Sequence, residues 1–178
     1  MPDSPRRLFF ALLPDEAVRE QLHRLQRDLI LAGGRPVPKE NLHLTLLFLG
    51  NVEAGKIDAI CDITADIAER RFSLMLDTFG SFKQNNARVL WLGPSAPPPE
   101  LDTLHQSLRQ QIQSVGLSVG METYRPHVTL VRKAGPQKFS EEPDRSILWT
   151  VRRCALVASK LLPAGSRHEI LVERNLSG

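Results

Sequence analysis

The chain has 178 residues, of which 42% are hydrophobic and 24% charged, a composition ordinary for a globular protein. This length allows one domain, or two small lobes that share a core. The net charge of +3 favours an anionic partner, and no apolar stretch is long enough to span a membrane. The two cysteines, Cys61 and Cys154, lack metal-like spacing, so we expect no disulfide framework and predict a cytoplasmic location.

The hydrophobic pattern predicts a mixture of strands and helices. The first elements in chain order are a strand at 8–13, a helix opened by Pro14 and closed by Gly33, a strand carrying His43 and Thr45, and a helix at 55–70. A hairpin of 72–82 and 88–92, a stiff connector at 94–99 and a helix at 99–115 follow. The last elements are a strand carrying His127 and Thr129 and two strands near 148–158 and 167–174.

The same short motif occurs in two of these strands. The segments NLHLTLLFLG and RPHVTLVRK both contain His-x-Thr-Leu, with His43 and His127 lying 84 residues apart. Successive side chains of a strand point to opposite faces, so the His and Thr of each motif share a face, about 7 Å apart along the chain. The chain therefore places an imidazole beside a hydroxyl group twice.

The elements around the two motifs also repeat. Each motif strand follows a strand and a helix: Phe9 precedes His43 by 34 residues, and Val89 precedes His127 by 38. We interpret this order as a divergent internal duplication. Two related lobes packed about a pseudo-two-fold axis would place both His-x-Thr strands across one cleft.

Two imidazoles and two hydroxyl groups facing one cleft would suit phosphate chemistry. Because the pKa of histidine lies near 6.5, one ring can accept a proton while the other donates one. Threonine hydroxyls can donate hydrogen bonds to the non-bridging oxygens of a phosphodiester. As a simpler alternative, each histidine would be a core residue and each threonine a good strand former.

The remaining residues offer weaker candidates. His23 and His105 fall beside the apolar stripes of their helices and are predicted to be solvated or half-buried, and His168 has no evident partner. Trp91 and Trp149 are assigned to the core. No Cys/His or carboxylate pattern predicts a metal site, and no glycine-rich phosphate loop occurs. We therefore expect no metal and no cofactor.

The two motifs, together with RLFFALLPDE and RPVPKENLHLTLLFLG, closely resemble the 2H phosphoesterase superfamily. Within it the chain is similar to the RNA 2′,3′-cyclic phosphodiesterases, also described as 2′-5′ RNA ligases, over about residues 7–135. The resemblance implies an α+β fold with two antiparallel sheets flanking a central cleft and helices outside. Residues 1–178 would form one domain of two interleaved lobes.

The resemblance also implies an activity and roles for particular residues. The activity would be metal-independent hydrolysis of RNA 2′,3′-cyclic phosphate ends, such as those of tRNA fragments, to a 2′-phosphate, with reversible 2′-5′ ligation as an accompanying reaction. Because nothing in the sequence indicates an obligate partner, we expect a monomer. His43 would be the proton donor and His127 the proton acceptor. Thr45 and Thr129 would bind phosphate oxygens.

Three further positions are predicted less directly. Arg132 closes the second motif string and would contact phosphate, while Phe9 and Phe48 are candidates for stacking on a nucleobase. Strict alternation turns Arg132 and Phe48 to the face opposite their histidines, so each needs a bulge or a strand end to reach the cleft. Phe9 could equally be buried in the first strand.

Other functions remain open from the sequence. The same catalytic pair could act on a small cyclic nucleotide or an ADP-ribose cyclic phosphate instead of RNA. The chain could also bind nucleotides without turnover, or be a structural domain with incidental histidines. Two intact motifs favour an enzyme, because binding alone requires neither an acid nor a base.

Overall fold

The computed structural model describes residues 4–29, 33–120, 122–136 and 142–178. The described helices are α1 (Glu16–Leu29), α2 (Ala54–Ala65) and α3 (Pro99–Ser114), with a 3-10 turn at Lys39–Asn41. The strands are β1 (Arg6–Leu12), β2 (Arg35–Pro36), β3 (Leu44–Val52), β4 (Phe72–Leu76), β5 (Thr78–Gln84), β6 (Ala87–Gly93), β7 (Val128–Ala134), β8 (Ile147–Val151), β9 (Arg153–Leu162) and β10 (Gly165–Asn175).

The predicted α+β class with antiparallel sheets is confirmed. The larger sheet has the strand order β10-β9-β1-β3-β7-β6-β5, with β2 paired to β7, and the smaller consists of β4 and β8. Within the described residues, β3 and β7 pair only at Leu44 and Val128. This single pair joins a first half (β10, β9, β1 and β3) to a second half (β7, β6 and β5).

Two of the helices begin at residues that suit a helix N-terminus. The Asp15 carboxylate accepts the backbone N–H of Val18 at 2.9 Å, which satisfies one of the free donors at the start of α1. Pro99 occupies the first turn of α3, where its missing N–H costs no hydrogen bond. The first helix was predicted to be closed by Gly33; the structure describes it to Leu29, and residues 30–32 lie outside the described part of the chain.

Strand β1 is buried on both faces, and this position defines the architecture. Leu8, Phe10 and Leu12 join the main core, to which the buried residues of all three helices contribute. Phe9 and Ala11 point the other way and form a smaller cluster with Leu13, Ala155 and Val157. The face that carries Phe9 is therefore opposite the helices and free to form one wall of a cleft.

Three predicted elements differ from the structure. The strand predicted at 72–82 is two strands, because the Asp77 carboxylate accepts the backbone N–H and the hydroxyl of Ser95, each at 2.7 Å, and bends the chain there. The strand predicted at 148–158 divides at Arg152, where the chain passes from pairing with β4 to pairing with β1. Helix α2 ends at Ala65 rather than at 70.

No described helix is long and apolar enough to cross a membrane.

Candidate active site

The four motif side chains meet around the Leu44–Val128 pair. Both of these residues are fully buried, so their neighbours on each strand point to the opposite face. Extending the antiparallel register by one residue sets His43 opposite Thr129 and Thr45 opposite His127. Directly opposed residues have Cβ atoms about 4.5–5.5 Å apart. The structure thus brings both His-x-Thr motifs together on one face, related by the pseudo-two-fold axis.

Both imidazoles are held in the same tautomer by the same local contact. His43 Nδ1 lies 2.6 Å from the carbonyl of Asn41, and His127 Nδ1 lies 2.7 Å from the carbonyl of Arg125, in each case two residues earlier. Because a carbonyl only accepts, each Nδ1 carries the hydrogen and each neutral ring keeps Nε2 as a free base. His43 Nε2 accepts the Thr45 hydroxyl at 3.0 Å.

His43 belongs to a cluster of three rings. Its centroid lies 4.9 Å from that of Phe9 and 5.2 Å from that of His168, and Phe9 and His168 are also 5.2 Å apart. Phe9 is only 5% exposed, so the prediction that it stacks on a nucleobase is corrected: its ring supports the two imidazoles. The expectation that His168 has no partner is also wrong. Its neighbours, Arg167 and Glu169, resemble an ordinary solvated strand and give no signal of this contact.

A second aromatic cluster lies beside His127. Phe82 and Trp91 have centroids 4.9 and 5.8 Å from the imidazole and 5.3 Å from each other. Trp149 is fully buried as predicted, but Trp91 is only partly buried and belongs to the site rather than to the core. Gly80 makes room for the indole, since a Cβ there would lie 2.0 Å from Cζ2 of Trp91.

A β-bulge in β3 turns Phe48 away from the core. Between Phe10 and Ala11 the pairing advances one residue on β1 but two on β3, which leaves Leu46 as the extra residue. Leu46 and Leu47 are consequently both buried, and Phe48 is 47% exposed.

Strand β7 carries a bulge at the same distance from its histidine. Leu90 and Trp91 are consecutive on β6, but their partners on β7 are Val131 and Thr129. Leu130 is therefore the extra residue of the bulge, three positions after His127, as Leu46 is three positions after His43. Leu130 and Val131 are both fully buried, and Arg132 then points outward. The two bulges restore Phe48 and Arg132 to the face of the histidines and so resolve the alternation problem.

Burial, reinforced by nearby positive charges, lowers the pKa of the three histidines near the cleft. Burial lowers the pKa of His43 to about 4. The hydrogen bond to the Asn41 carbonyl acts in the opposite direction, and nearby charges that include Arg132 lower the pKa further. Burial also lowers the pKa of His127 and of His168, and Arg132 contributes to both. Arg132 therefore lies within electrostatic range of all three rings.

Arg7 is a site residue that the sequence did not reveal. Its guanidinium lies 4.7 Å from the centroid of the Phe48 ring, a cation–π contact. The pKa of Arg132 is lowered mainly by burial and secondly by the positive charge of Arg7. The cleft therefore concentrates positive charge, which favours an anionic ligand.

Buried amides hold the two motif strands in place. Asn41 Nδ2 donates to the carbonyl of Ser166 at 2.8 Å. Gln26 is 1% exposed, and its Nε2 donates to the carbonyls of Leu130 and Val37, each at 2.7 Å. The Gln26 contacts therefore brace the bulge that directs Arg132.

Two further histidines lie outside the two motifs. His105 is 6% exposed, more buried than predicted, and stacks on Tyr124 with centroids 4.0 Å apart. The Tyr124 hydroxyl donates to the carbonyl of Thr45 at 3.2 Å. His23 is partly buried, as predicted, and its Nδ1 lies 3.1 Å from Gln26 Oε1.

A cavity of about 630 Å³ opens beside this constellation, lined by residues that include Thr45, Phe48, Phe82 and His127. Two proton-transfer groups, hydroxyl donors and a guanidinium could together bind a phosphodiester and transfer protons at its reacting oxygens. Among the described residues, no three His, Cys, Asp or Glu side chains are grouped to hold a metal ion.

Comparisons with known proteins identify the family of this chain. The family model of the LigT-like phosphoesterases matches residues 12–91. The RNA 2′,3′-cyclic phosphodiesterase of Escherichia coli is 35% identical, over 92% of this chain and 93% of its own. The enzyme of the same name from Thermotoga maritima is 32% identical, over 97% and 96% of the two chains.

The architecture agrees as well. The apo structure of E. coli LigT superimposes with a TM-score of 0.82 at 33% identity, covering 98% of this chain and 99% of that one. The chain belongs to the LigT-like phosphoesterase family of 2H phosphoesterases.

Proposed function

We propose that this protein hydrolyses the 2′,3′-cyclic phosphate at an RNA end to a 2′-phosphate, without a metal. The observation that carries the proposal is the pair of imidazoles, His43 and His127, each with Nδ1 fixed by a carbonyl and both on one face with Thr45 and Thr129. The names of the relatives support RNA cyclic phosphate as the substrate, and E. coli LigT has been solved with 3′-AMP.

The proposed reaction is a single in-line displacement at phosphorus. His127 Nε2 accepts a proton from water as the water oxygen bonds to phosphorus. The bond between phosphorus and O3′ breaks, and protonated His43 donates its Nε2 proton to the departing O3′. The products are a 2′-phosphate and a 3′-hydroxyl, and the second proton returns through solvent.

The substrate itself would prepare His43 for its role. Burial holds the pKa of His43 at about 4, so the ring is neutral near pH 7. A phosphodiester against the Nε2 edge brings a negative charge, which favours the protonated ring. Substrate binding and protonation of His43 are therefore coupled.

Thr45, Thr129 and Arg132 would stabilise the charge on the non-bridging oxygens. Hydroxyls and a guanidinium held on strands need little reorganisation as that charge increases in the transition state. Phe48, which is 47% exposed beside these groups, is the remaining candidate for stacking on the base.

The same groups could also join RNA ends. If the 5′-hydroxyl of a second RNA replaced water, His127 would accept its proton and the product would be a 2′-5′ linkage.

We also propose that the protein is a monomer with one domain of two interleaved lobes. A cytoplasmic location is proposed as well, and the two unpaired cysteines are consistent with it.

The decisive experiment is incubation of an RNA oligonucleotide ending in 2′,3′-cyclic phosphate with the protein in EDTA. We expect turnover with a 2′-phosphate as the product, identified by ³¹P NMR. Formation of a 3′-phosphate would contradict the assignment of the leaving oxygen. Loss of turnover in EDTA, restored by a divalent cation, would contradict metal independence.

A further inference from the structure

A row of polar side chains crosses three neighbouring strands beside the catalytic histidines. Arg7 on β1 pairs with Ser159 on β9, and Ser159 pairs with His168 on β10. Directly paired residues of antiparallel strands share a face. Arg7, Ser159 and His168 therefore form a continuous row, called here the Arg7–His168 row.

The row lies next to the reacting centre. Phe9 follows Arg7 by two residues, so it occupies the same face about 7 Å further along β1. The Phe9 ring contacts both His43 and His168. The row is therefore adjacent to the catalytic cluster, and His168 belongs to both. All three of its members line a second cavity, of about 970 Å³.

The positive charge of this cavity is largely uncompensated. Glu169 is the one acidic residue among the described lining residues, and it pairs with Arg6. Arg7 packs on the Phe48 ring, and none of the ion pairs identified among the described residues includes it.

Further positive charge lies at the edge of the cavity. Lys160 and Arg167 are directly paired on β9 and β10, and both line the cavity. Each is one residue from a member of the row, so it points to the opposite face of the sheet and adds positive charge without direct contact with the row.

We propose that the Arg7–His168 row binds the phosphodiester that precedes the terminal nucleotide of the RNA. This inference rests on the proposed function and extends it, because it makes the substrate a polynucleotide end rather than a mononucleoside cyclic phosphate. Arg7 supplies charge-assisted N–H donors, Ser159 a hydroxyl donor and His168 a ring N–H. The Lys160–Arg167 pair adds positive charge at the rim.

The test is equilibrium binding of two dinucleotides by isothermal titration calorimetry. Both end in a 2′-phosphate, but one has a phosphodiester between its nucleosides and the other an uncharged methylphosphonate. Charge-assisted hydrogen bonds lead us to expect about 10-fold or more tighter binding of the phosphodiester by the unmodified protein. Equal affinities would overturn the inference, and this comparison requires no variant.

Three variants locate the effect. Arg7→Gln and His168→Gln should each bring the ratio of the two affinities close to one, even if they also weaken binding of the terminal phosphate. Arg24→Gln removes the same charge from the exposed face of α1 and should leave the ratio unchanged. A ratio preserved in both row variants, with folding verified by circular dichroism, would contradict the assignment.

This readout is independent of turnover. If the protein fails to hydrolyse cyclic-phosphate RNA but discriminates between the two dinucleotides, the proposed function fails and the binding row stands. If hydrolysis occurs without discrimination, the proposed function stands and the row is wrong.

Discussion

Asn41 links the imidazole of His43 to the far edge of the sheet. Its side-chain amide donates to the carbonyl of Ser166 on β10 at 2.8 Å, and its own carbonyl accepts His43 Nδ1–H at 2.6 Å. Because β10 also carries His168, whose ring is 5.2 Å from that of His43, one residue fixes the relative positions of two imidazoles.

Replacing Asn41 should therefore reduce activity more than stability. In Asn41→Ala the Ser166 carbonyl loses its donor, which should lower the free energy of unfolding by about 1 kcal/mol. We expect kcat to fall several-fold because His43 is less well oriented. Asn175→Ala, at the exposed end of β10, is the matched control. Unchanged kcat in Asn41→Ala would show that this link does not position His43.

Gln26 should affect substrate affinity through the bulge at Leu130. Gln26→Leu removes two buried donors and should lower the free energy of unfolding by about 1–3 kcal/mol. A displaced bulge would move Arg132, so KM for cyclic-phosphate RNA should rise in Gln26→Leu. The control is Gln21→Leu, on the exposed side of α1, which should leave KM unchanged. A loss of stability with an unaltered KM would separate Gln26 from the site.

Gly80→Ala should disturb the aromatic cluster beside His127. The new Cβ would lie 2.0 Å from the Trp91 indole, so the ring must move, at a cost of about 1–3 kcal/mol. We expect lower kcat/KM and altered tryptophan fluorescence. Gly55→Ala is the control, because a Cβ there meets nothing within 4 Å beyond its chain neighbours and the backbone of its own helix, and the activity should not change. Normal turnover in Gly80→Ala would indicate that Trp91 has no influence on the site.

The low pKa of His43 should make stability depend on pH. The folded-state pKa is about 4 and the ordinary value is 6.5, so folding favours the neutral ring. This contribution is complete above pH 6.5 and is lost as the pH falls towards 4. The melting temperature should fall less steeply over this range in His43→Gln than in the unmodified protein. Parallel curves would contradict the shift.

Ligand binding should reverse that shift. Titration of the His43 ring proton by NMR should give a pKa near 4 in the free protein and a higher value with inorganic phosphate bound. An unchanged pKa in saturating phosphate would place the anion away from His43.

The sequence predicted the parts of the site that are local. Each His-x-Thr pair depends on a few consecutive residues, so alternation along a strand was enough to place His43 with Thr45 and His127 with Thr129. The helix at 99–115 was predicted within one residue because its apolar spacing and its proline are also local signals.

Contacts that depend on long-range register were not predictable. His168 reaches His43 through the pairing of β10 with β9 and of β9 with β1, which leaves no trace near residue 168. The bulges at Leu46 and Leu130 are visible only when two strands are compared. The sequence likewise predicts Trp91 to be a core residue, because the sequence does not show that Gly80, on the neighbouring strand, accommodates its ring.

The division of labour between His43 and His127 is the central claim, and a substrate with sulfur in place of O3′ tests it most directly. A thiolate leaves without a proton, so single-turnover cleavage of this substrate should be nearly normal in His43→Ala and absent in His127→Ala, while both variants should be inactive on the oxygen substrate. Failure of the sulfur substrate to rescue His43→Ala, or equal rescue of both variants, would contradict the account.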